Sequence, residues 1–287
     1  MVFKMTVGII GLGLIGGSLA KAYTVAEHRV LACDADESIQ EFAILSNAVN
    51  AVLDKESIKE CNLILIALYP NAAIEWLKNS AGLIDSSAVV IDCCGTKKNI
   101  CEVGFALADE YGFTFVGGHP MAGKEQSGFK HSSAALFEDA PMIIVPSKSR
   151  NNDIEFFDKI KELLEPAKFG RMTITTAAKH DEVIAFTSQM AHLASNAFIK
   201  SPTVFGHKGF SAGSYKDLTR VAWLNEHMWT ELFMENREFL LNELSLFISA
   251  LNEYKTALQE ENADEMIKLL YDGKRLKEKV DRGVKEW

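Results

Sequence analysis

A single histidine, His119, stands directly before a proline and between glycines in the stretch GGHPMAG, residues 117–123. Proline fixes its own φ and pushes the residue before it into extended geometry. The glycines permit close packing by a ligand. Such a frame holds one imidazole stiffly, and an imidazole that titrates near neutrality can take a hydroxyl proton as hydride leaves the same carbon. The competing reading is a histidine satisfied within a turn.

A second group is Gly11-Leu12-Gly13-Leu14-Ile15-Gly16, a GxGxxG run that follows an apolar stretch and opens a helical one. Asp34 lies eighteen residues beyond Gly16, at the end of the next apolar stretch. In that context the glycines let the backbone approach a pyrophosphate, which sits on the free N–H groups of the helix start. Asp34 then accepts hydrogen bonds from the adenosine ribose. Its carboxylate repels a 2′-phosphate, and Ala35, Asp36 and Glu37 offer no arginine to receive one, so the expected cofactor is NAD rather than NADP.

These groups need elements to position them. The stretches MTVGII, HRVLACDAD, CNLILIALYP, SSAVVIDCCGT, GFTFVGGHP and APMIIVPS read as strands. Several are continuously apolar, as parallel strands covered on both faces are. Helical stretches at 71–80, 97–111 and 153–164 lie between them. Strands alternating with helices imply an α/β fold with a doubly wound parallel sheet, in which ligands sit beyond the carboxyl ends of the strands. His119 follows the apolar Phe115 and Val116 and so points into that crevice.

From about residue 175 the pattern becomes helical, at 177–200 and 226–260. In the second of these, Met228, Leu232, Phe239, Leu244, Phe247 and Leu251 recur at helical spacing, and Phe233, Leu240, Leu241, Leu246 and Ile248 widen the stripe. A helix apolar on several faces is either a central core helix or one that also forms a dimer interface. The expected organisation is a Rossmann-type domain over 1–174 and a helical substrate-binding and dimerisation domain over 175–287. Roughly twenty-five residues follow the long helix, so no further regulatory domain is expected there.

Composition excludes several classes of function. With 48% hydrophobic and 24% charged residues in 287, the chain can bury a large core without disulfides or metal. A net charge of −9 disfavours nucleic acid and anionic membrane as partners. Five cysteines without CxxC or Cys/His spacing suggest reduced thiols in the cytoplasm and no metal site. The start of the chain could pass for a signal peptide, but its glycine spacing argues against one, and no apolar run approaches the roughly 20 residues of a membrane helix.

GLGLIGGSLA, DCCGTKK, GGHPMAGKEQSG, HDEVIAFTSQMAH and KDLTRVAW together resemble the prephenate dehydrogenases, relatives of the arogenate dehydrogenases, over nearly the whole chain. The resemblance implies NAD-dependent oxidative decarboxylation of prephenate to 4-hydroxyphenylpyruvate in tyrosine biosynthesis, on a Rossmann-type domain followed by an all-helical dimerisation domain. It implies that His119 binds the ring hydroxyl and that Arg220 binds a substrate carboxylate, with Glu125 and Asp217 positioning that arginine. It adds His192, Gln189, Lys216 and Gly213 on the substrate side, and Leu68 and Gly95 beside the cofactor. Asp181 is expected mainly as an acid in the first turn of a helix.

Two positions depart from the family pattern. Gly95 stands where the family often has a serine that orients the catalytic histidine; either Thr96, one residue later, serves instead, or that role is absent. Gln189 replaces the first histidine of a Ser-His-Leu-Pro-His segment. Both His192 and Gln189 carry hydrogen-bond donors, and no acid occurs between Ile184 and Lys200 to pair with an amine. That favours prephenate, whose side chain is a keto acid, over arogenate, whose side chain carries an ammonium. The alternatives are arogenate dehydrogenase and a catalytically silent NAD-binding sensor; the β-hydroxyacid dehydrogenases share the two-domain plan but lack HPMAG.

Overall fold

Val7, Ile9, Leu63, Ile64, Leu65, Ile66, Val90 and Ile91 have no accessible surface, the burial expected of strands covered on both faces. In this computed structural model, which describes residues 4–283, they belong to a sheet of eight strands. These are β1 (Thr6–Ile10), β2 (Arg29–Cys33), β3 (Ala51–Val52), β4 (Leu63–Ile66), β5 (Val89–Asp92), β6 (Thr114–Pro120), β7 (Pro141–Val145) and β8 (Arg171–Ile174). Their order is β3-β2-β1-β4-β5-β6-β7-β8. The chain reverses its winding between β1 and β4, which opens a crevice at their carboxyl ends.

Alternate residues of each strand face opposite layers. On one side Ile9, Leu65 and Ile91 pack with α1 (Leu14–Val25), α2 (Glu37–Leu45) and, through Ile160 and Leu164, the later helix α5 (Ile154–Leu164). On the other, Ile10, Ile64, Ile66 and Val90 meet Leu77 of α3 (Pro70–Ser80) and Ile100 and Cys101 of α4 (Lys98–Tyr111).

The sheet departs from the expected all-parallel arrangement at one place. β7 runs antiparallel to β6, with His119 opposite Ile143 and Gly117 opposite Val145. The 121–140 connection holds only a short turn at Phe129–His131, and without a crossover helix the chain returns as an antiparallel neighbour. β8, which only partly buries its four residues, carries no continuous apolar signal and escapes detection by pattern.

Residues 177–198 form one helical path in three pieces: α6 (Ala177–Ile184), a π-helical segment (Ala185–Met190) and α7 (Ala191–Phe198). α8 (Gly213–Thr219) and α9 (Glu226–Glu235) follow, and α9 ends at Asn236 (φ −103, ψ 23).

The chain divides into two compact units, 1–236 and 237–287. The described part of the second unit is a helical hairpin, α10 (Arg237–Gln259) and α11 (Ala263–Asp281), with Tyr254 donating to the Leu269 carbonyl at 3.4 Å. The stretch expected as one helix over 226–260 is therefore broken at Asn236. Nor is it a core helix: Leu241, Leu246, Phe247, Ile248 and Leu251 are all exposed, and only Leu240 and Ala257 of α10 are buried.

Candidate active site

The turn after β1 is built for close backbone approach. Gly11 sits at φ +88, and a Cβ there would meet the Ala67 carbonyl oxygen and Leu68 Cδ2 at 2.7 Å. At Gly16 a Cβ would lie 1.8 Å from the Gly11 carbonyl oxygen, so the first turn of α1 can close on the loop only without a side chain. Gly13 is different: nothing lies within 4 Å of its Cβ position. That open space, at the N-cap of α1, is where free N–H groups can receive a pyrophosphate. Leu12 donates its N–H to Asp34 Oδ2 at 2.6 Å, and Asp36 donates to Oδ1 at 2.9 Å. Asp34 is thus held at the lip of the same turn as Leu12, Leu14 and Ile15. The residues present fit a dinucleotide.

The glycines before His119 serve packing within the protein. At Gly117 a Cβ would lie 2.5 Å from Cys101 Sγ, and at Gly118 it would lie 2.4 Å from the Asp92 carbonyl oxygen. β6 therefore presses against β5 and α4, and its end carries His119 to the carboxyl edge of the sheet. Nδ1 of His119 stands 2.9 Å from Nε2 of His180. His180 Nδ1 is in turn 2.7 Å from Asp181 Oδ1.

Asp181 is not the first-turn acid expected of it. It lies in the second turn of α6, buried, and accepts the backbone N–H groups of Lys97 and Lys98 at 2.8 and 2.9 Å. It thereby caps the start of α4, a different helix, where a carboxylate also meets the positive end of the dipole. Beneath lies a fully buried ion pair between Lys97 and Asp92. Burial pulls the Lys97 pKa down, but the Asp92 carboxylate together with the Cys94 and Cys101 sulfurs more than offsets that pull, leaving it raised. His119 is held well below its ordinary value of 6.5 by burial, then by His180 and the Lys97 ammonium. Burial likewise lowers His180, against an opposing pull from Asp181.

Thr96 does not orient His119. Its hydroxyl bonds the Glu235 carboxylate, and the atom that holds His119 belongs to His180. Gly95 packs against α9, where a Cβ would meet Leu232 Cδ2 at 3.0 Å. His180, Asp181, Lys97, Asp92 and Glu235 were not expected as parts of the site. The sequence signal that points to the first two is the adjacent His-Asp pair near the start of α6.

On the substrate side, His192 lies against Trp229 with ring centroids 4.0 Å apart and 30° between planes. Its Nδ1 is 2.9 Å from the Ser188 carbonyl oxygen, an acceptor, so Nδ1 carries the proton and the neutral ring presents a lone pair at Nε2. Burial, and then the nearby Arg220 charge, lower its pKa, although the Ser188 bond opposes them. Gln189 does not offer its amide to a ligand: it is buried, donates to the Leu232 carbonyl at 3.1 Å and accepts from Asn236 at 2.8 Å. It lies in the π-helical segment, one helical turn beyond the buried Ala185.

Arg220 opens the turn Arg220–Ala222, which Asn196 ties to α7 through the Ala222 carbonyl at 3.3 Å. Its side chain is exposed, and among the described residues it has no ion pair. Glu125 and Asp217, expected to position it, are exposed and bond neither to Arg220 nor to each other. Lys216 and Gly213 are exposed on α8. Among the described residues, no group of three metal-ligating side chains converges.

Comparison with known proteins agrees with this architecture. A family model described as prephenate dehydrogenase, nucleotide-binding domain, matches residues 19–172, and one described as prephenate dehydrogenase, dimerization domain, matches 176–272. The chain is 27% identical over 284 residues to a prephenate dehydrogenase of Lactococcus lactis, covering 95% of this chain and 77% of the relative. It is 28% identical over 297 residues to a cyclohexadienyl dehydrogenase of Zymomonas mobilis, covering 99% of each. Its fold is similar to the crystal structure of prephenate dehydrogenase from A. aeolicus in complex with hydroxyphenyl propionate and NAD+. That match has a TM-score of 0.82 at 24% identity, covering 97% of this chain and 99% of that one.

Proposed function

The chain belongs to the prephenate dehydrogenase family, and we propose that it catalyses the NAD-dependent oxidative decarboxylation of prephenate to 4-hydroxyphenylpyruvate, in tyrosine biosynthesis. The observation that carries this reading is the bond between His119 Nδ1 and His180 Nε2. It leaves His119 Nε2, at the carboxyl edge of the sheet, as the nitrogen able to meet a ring hydroxyl. When bound, NAD supplies the hydride acceptor for the carbon that bears that hydroxyl. Gly11, Gly13 and Gly16 would hold its pyrophosphate and Asp34 its ribose. His119 takes the hydroxyl proton. Loss of carbon dioxide from the opposite ring carbon makes the ring aromatic, so the protein need only orient the reactants and move that proton.

Arg220, exposed and without an ion pair among the described residues, would bind a substrate carboxylate with its two-pronged guanidinium. The reading includes a nucleotide domain over 1–174 and a substrate-binding and dimerisation domain over 175–287. A homodimer through the C-terminal helices is supported by the exposed Leu246, Phe247 and Leu251 of α10. A cytoplasmic location is supported by five free cysteines, and no described helix is long and apolar enough to cross a membrane.

A second reading, arogenate as a competing substrate, is favoured by His192. Its neutral ring presents an acceptor, which suits an ammonium better than a keto acid. The test of both is NADH formation by the purified protein with prephenate and with arogenate, each with NAD and NADP. Preference for prephenate and NAD is expected, and a clear preference for arogenate would replace the first reading with the second. Dinucleotide binding without turnover of either substrate would leave only a sensor.

A further inference from the structure

Asp181, His180 and His119 form a line of hydrogen bonds whose donors and acceptors can be assigned in sequence. The Asp181 carboxylate can only accept, and two backbone N–H groups already point at it. The His180 nitrogen that faces it at 2.7 Å, Nδ1, therefore carries a proton. In neutral His180 the lone pair is then on Nε2, and the nitrogen 2.9 Å from it, His119 Nδ1, must donate. The rings meet edge to edge, with centroids 5.1 Å apart and tilted by 57°. His119 is left with its lone pair on Nε2.

We propose that His180 relays the proton that His119 receives, so that the charge comes to rest on His180 against Asp181. The inference rests on the reading that His119 accepts the ring hydroxyl's proton. The hydroxyl O–H breaks as a new N–H forms at His119 Nε2. The Nδ1–H of His119 breaks as a new N–H forms at His180 Nε2. No electrons are gained or lost on either ring. His119 ends neutral in its other tautomer, and His180 ends as an imidazolium with both N–H groups bonded, one to Asp181 and one to His119 Nδ1.

Electrostatics favour that destination. The charged groups that face His180 are Asp181 on its own helix, and Lys97 and Asp92 from the end of β5 and the start of α4; His119 faces it from β6. Lys97 and Asp92 are paired with each other, which leaves Asp181 as the nearest anion. A cation kept on His119 would have burial and the Lys97 ammonium against it, with no carboxylate in contact. His180 is therefore a positioning residue that fixes which nitrogen of His119 meets the substrate and then takes its charge. This is the task that Thr96, bonded to Glu235, does not perform.

Three measurements on the whole chain test the relay. Long-range proton–nitrogen spectra of 15N-histidine protein with NAD, assigned through His119→Asn and His180→Gln, report tautomers without turnover. Protons on Nδ1 of both His119 and His180 are expected; a proton on His119 Nε2 overturns the proposal. His180→Gln keeps a donor for Asp181 and an acceptor for His119 but cannot bind a further proton. Its KM and NAD affinity should stay within about twofold while kcat falls about tenfold or more. A proton inventory of kcat in mixed light and heavy water should be curved in the unmutated protein and linear in His180→Gln. A linear plot in both, or unchanged kcat in the variant, overturns the relay. Absence of NADH formation from both substrates sinks the functional reading instead, and the spectra, taken without turnover, separately decide the bond order on which the relay depends.

Discussion

The Asp92 carboxylate accepts the Gly118 N–H at 3.2 Å, fastening the residue before His119 to the end of β5. The same carboxylate accepts the Cys94 N–H at 2.9 Å and pairs with the buried Lys97 ammonium. One side chain thus joins the strand that carries the imidazole to the loop that would face the cofactor. Asp92→Leu leaves the Lys97 charge buried and alone, and loss of one partner of such a pair costs roughly 3–5 kcal/mol. Urea denaturation should show at least a loss of that size, restored only in part by adding Lys97→Met, because the Gly118 and Cys94 N–H groups stay without their acceptor. A loss under about 1 kcal/mol would mean that Lys97 escapes to water or gives up its proton without consequence.

Gly13 and Gly16 should respond differently to alanine. Gly13 has open space at its Cβ position, so Gly13→Ala should fold with an unchanged Tm and bind NAD at least tenfold more weakly, since the methyl fills space meant for the pyrophosphate. Gly16→Ala places a carbon against the Gly11 carbonyl oxygen at 1.8 Å and should lose stability as well as affinity. Calorimetry on both variants checks this. Equal NAD affinity in Gly13→Ala and the unmutated protein would remove the pyrophosphate from that space.

GxGxxG and Asp34 were legible because a tight turn, a helix start and an acid at the next strand end are all local in the chain. His119 was legible for the same reason, since its proline and glycines are its neighbours. The bonds that set its chemistry span 61 residues to His180 and, at the capping end, 84 from Lys97 to Asp181. Nothing in local pattern announces contacts of that range. Gln189 was not legible as a buried residue because the partners that hold its amide, Leu232 and Asn236, lie 43 and 47 residues away. The antiparallel β7 was missed because an apolar strand carries no mark of its direction.

Asp34 should govern the choice of dinucleotide. Its two carboxylate oxygens are aimed by Leu12 and Asp36 N–H groups at 2.6 and 2.9 Å, which fixes a negative charge where a 2′-phosphate would have to sit. NAD should therefore be preferred, and Asp34→Ala should narrow the gap by lowering kcat/KM for NAD more than for NADP. Equal kcat/KM values for the two cofactors in the unmutated protein would refute the assignment.

His119 must be neutral to take a proton, and burial holds its pKa well below 6.5. Protonation on the acid side therefore sets in later than for an ordinary histidine, and kcat/KM should persist below pH 6.5 before it falls. His119→Asn should lower kcat by about 10²–10⁴-fold and abolish that acid limb, with NAD affinity hardly changed. An acid limb that survives in the variant belongs to another group.

Substrate choice is decided where prephenate and arogenate differ, at the side chain. Both keep a carboxylate there, which Arg220 can bind in either case, so Arg220→Ala should raise KM for both substrates by similar factors. His192 separates them. Its Nδ1–H is committed to the Ser188 carbonyl at 2.9 Å, and burial with the Arg220 charge keeps the ring neutral below its ordinary 6.5. The free Nε2 lone pair can accept from an ammonium and has nothing to donate to a keto group. His192→Ala should therefore reduce kcat/KM for arogenate by about ten- to a hundredfold, the worth of one hydrogen bond to a charged group, and reduce it less for prephenate. In the unmutated protein the prephenate-to-arogenate ratio should rise as pH falls and His192 gains a proton, because the effect of His119 is common to both substrates and cancels. Steady-state kinetics with both substrates across the acid range checks this. A ratio that is flat with pH and untouched by His192→Ala would place His192 away from the side chain, and leave the stack on Trp229 as its whole role.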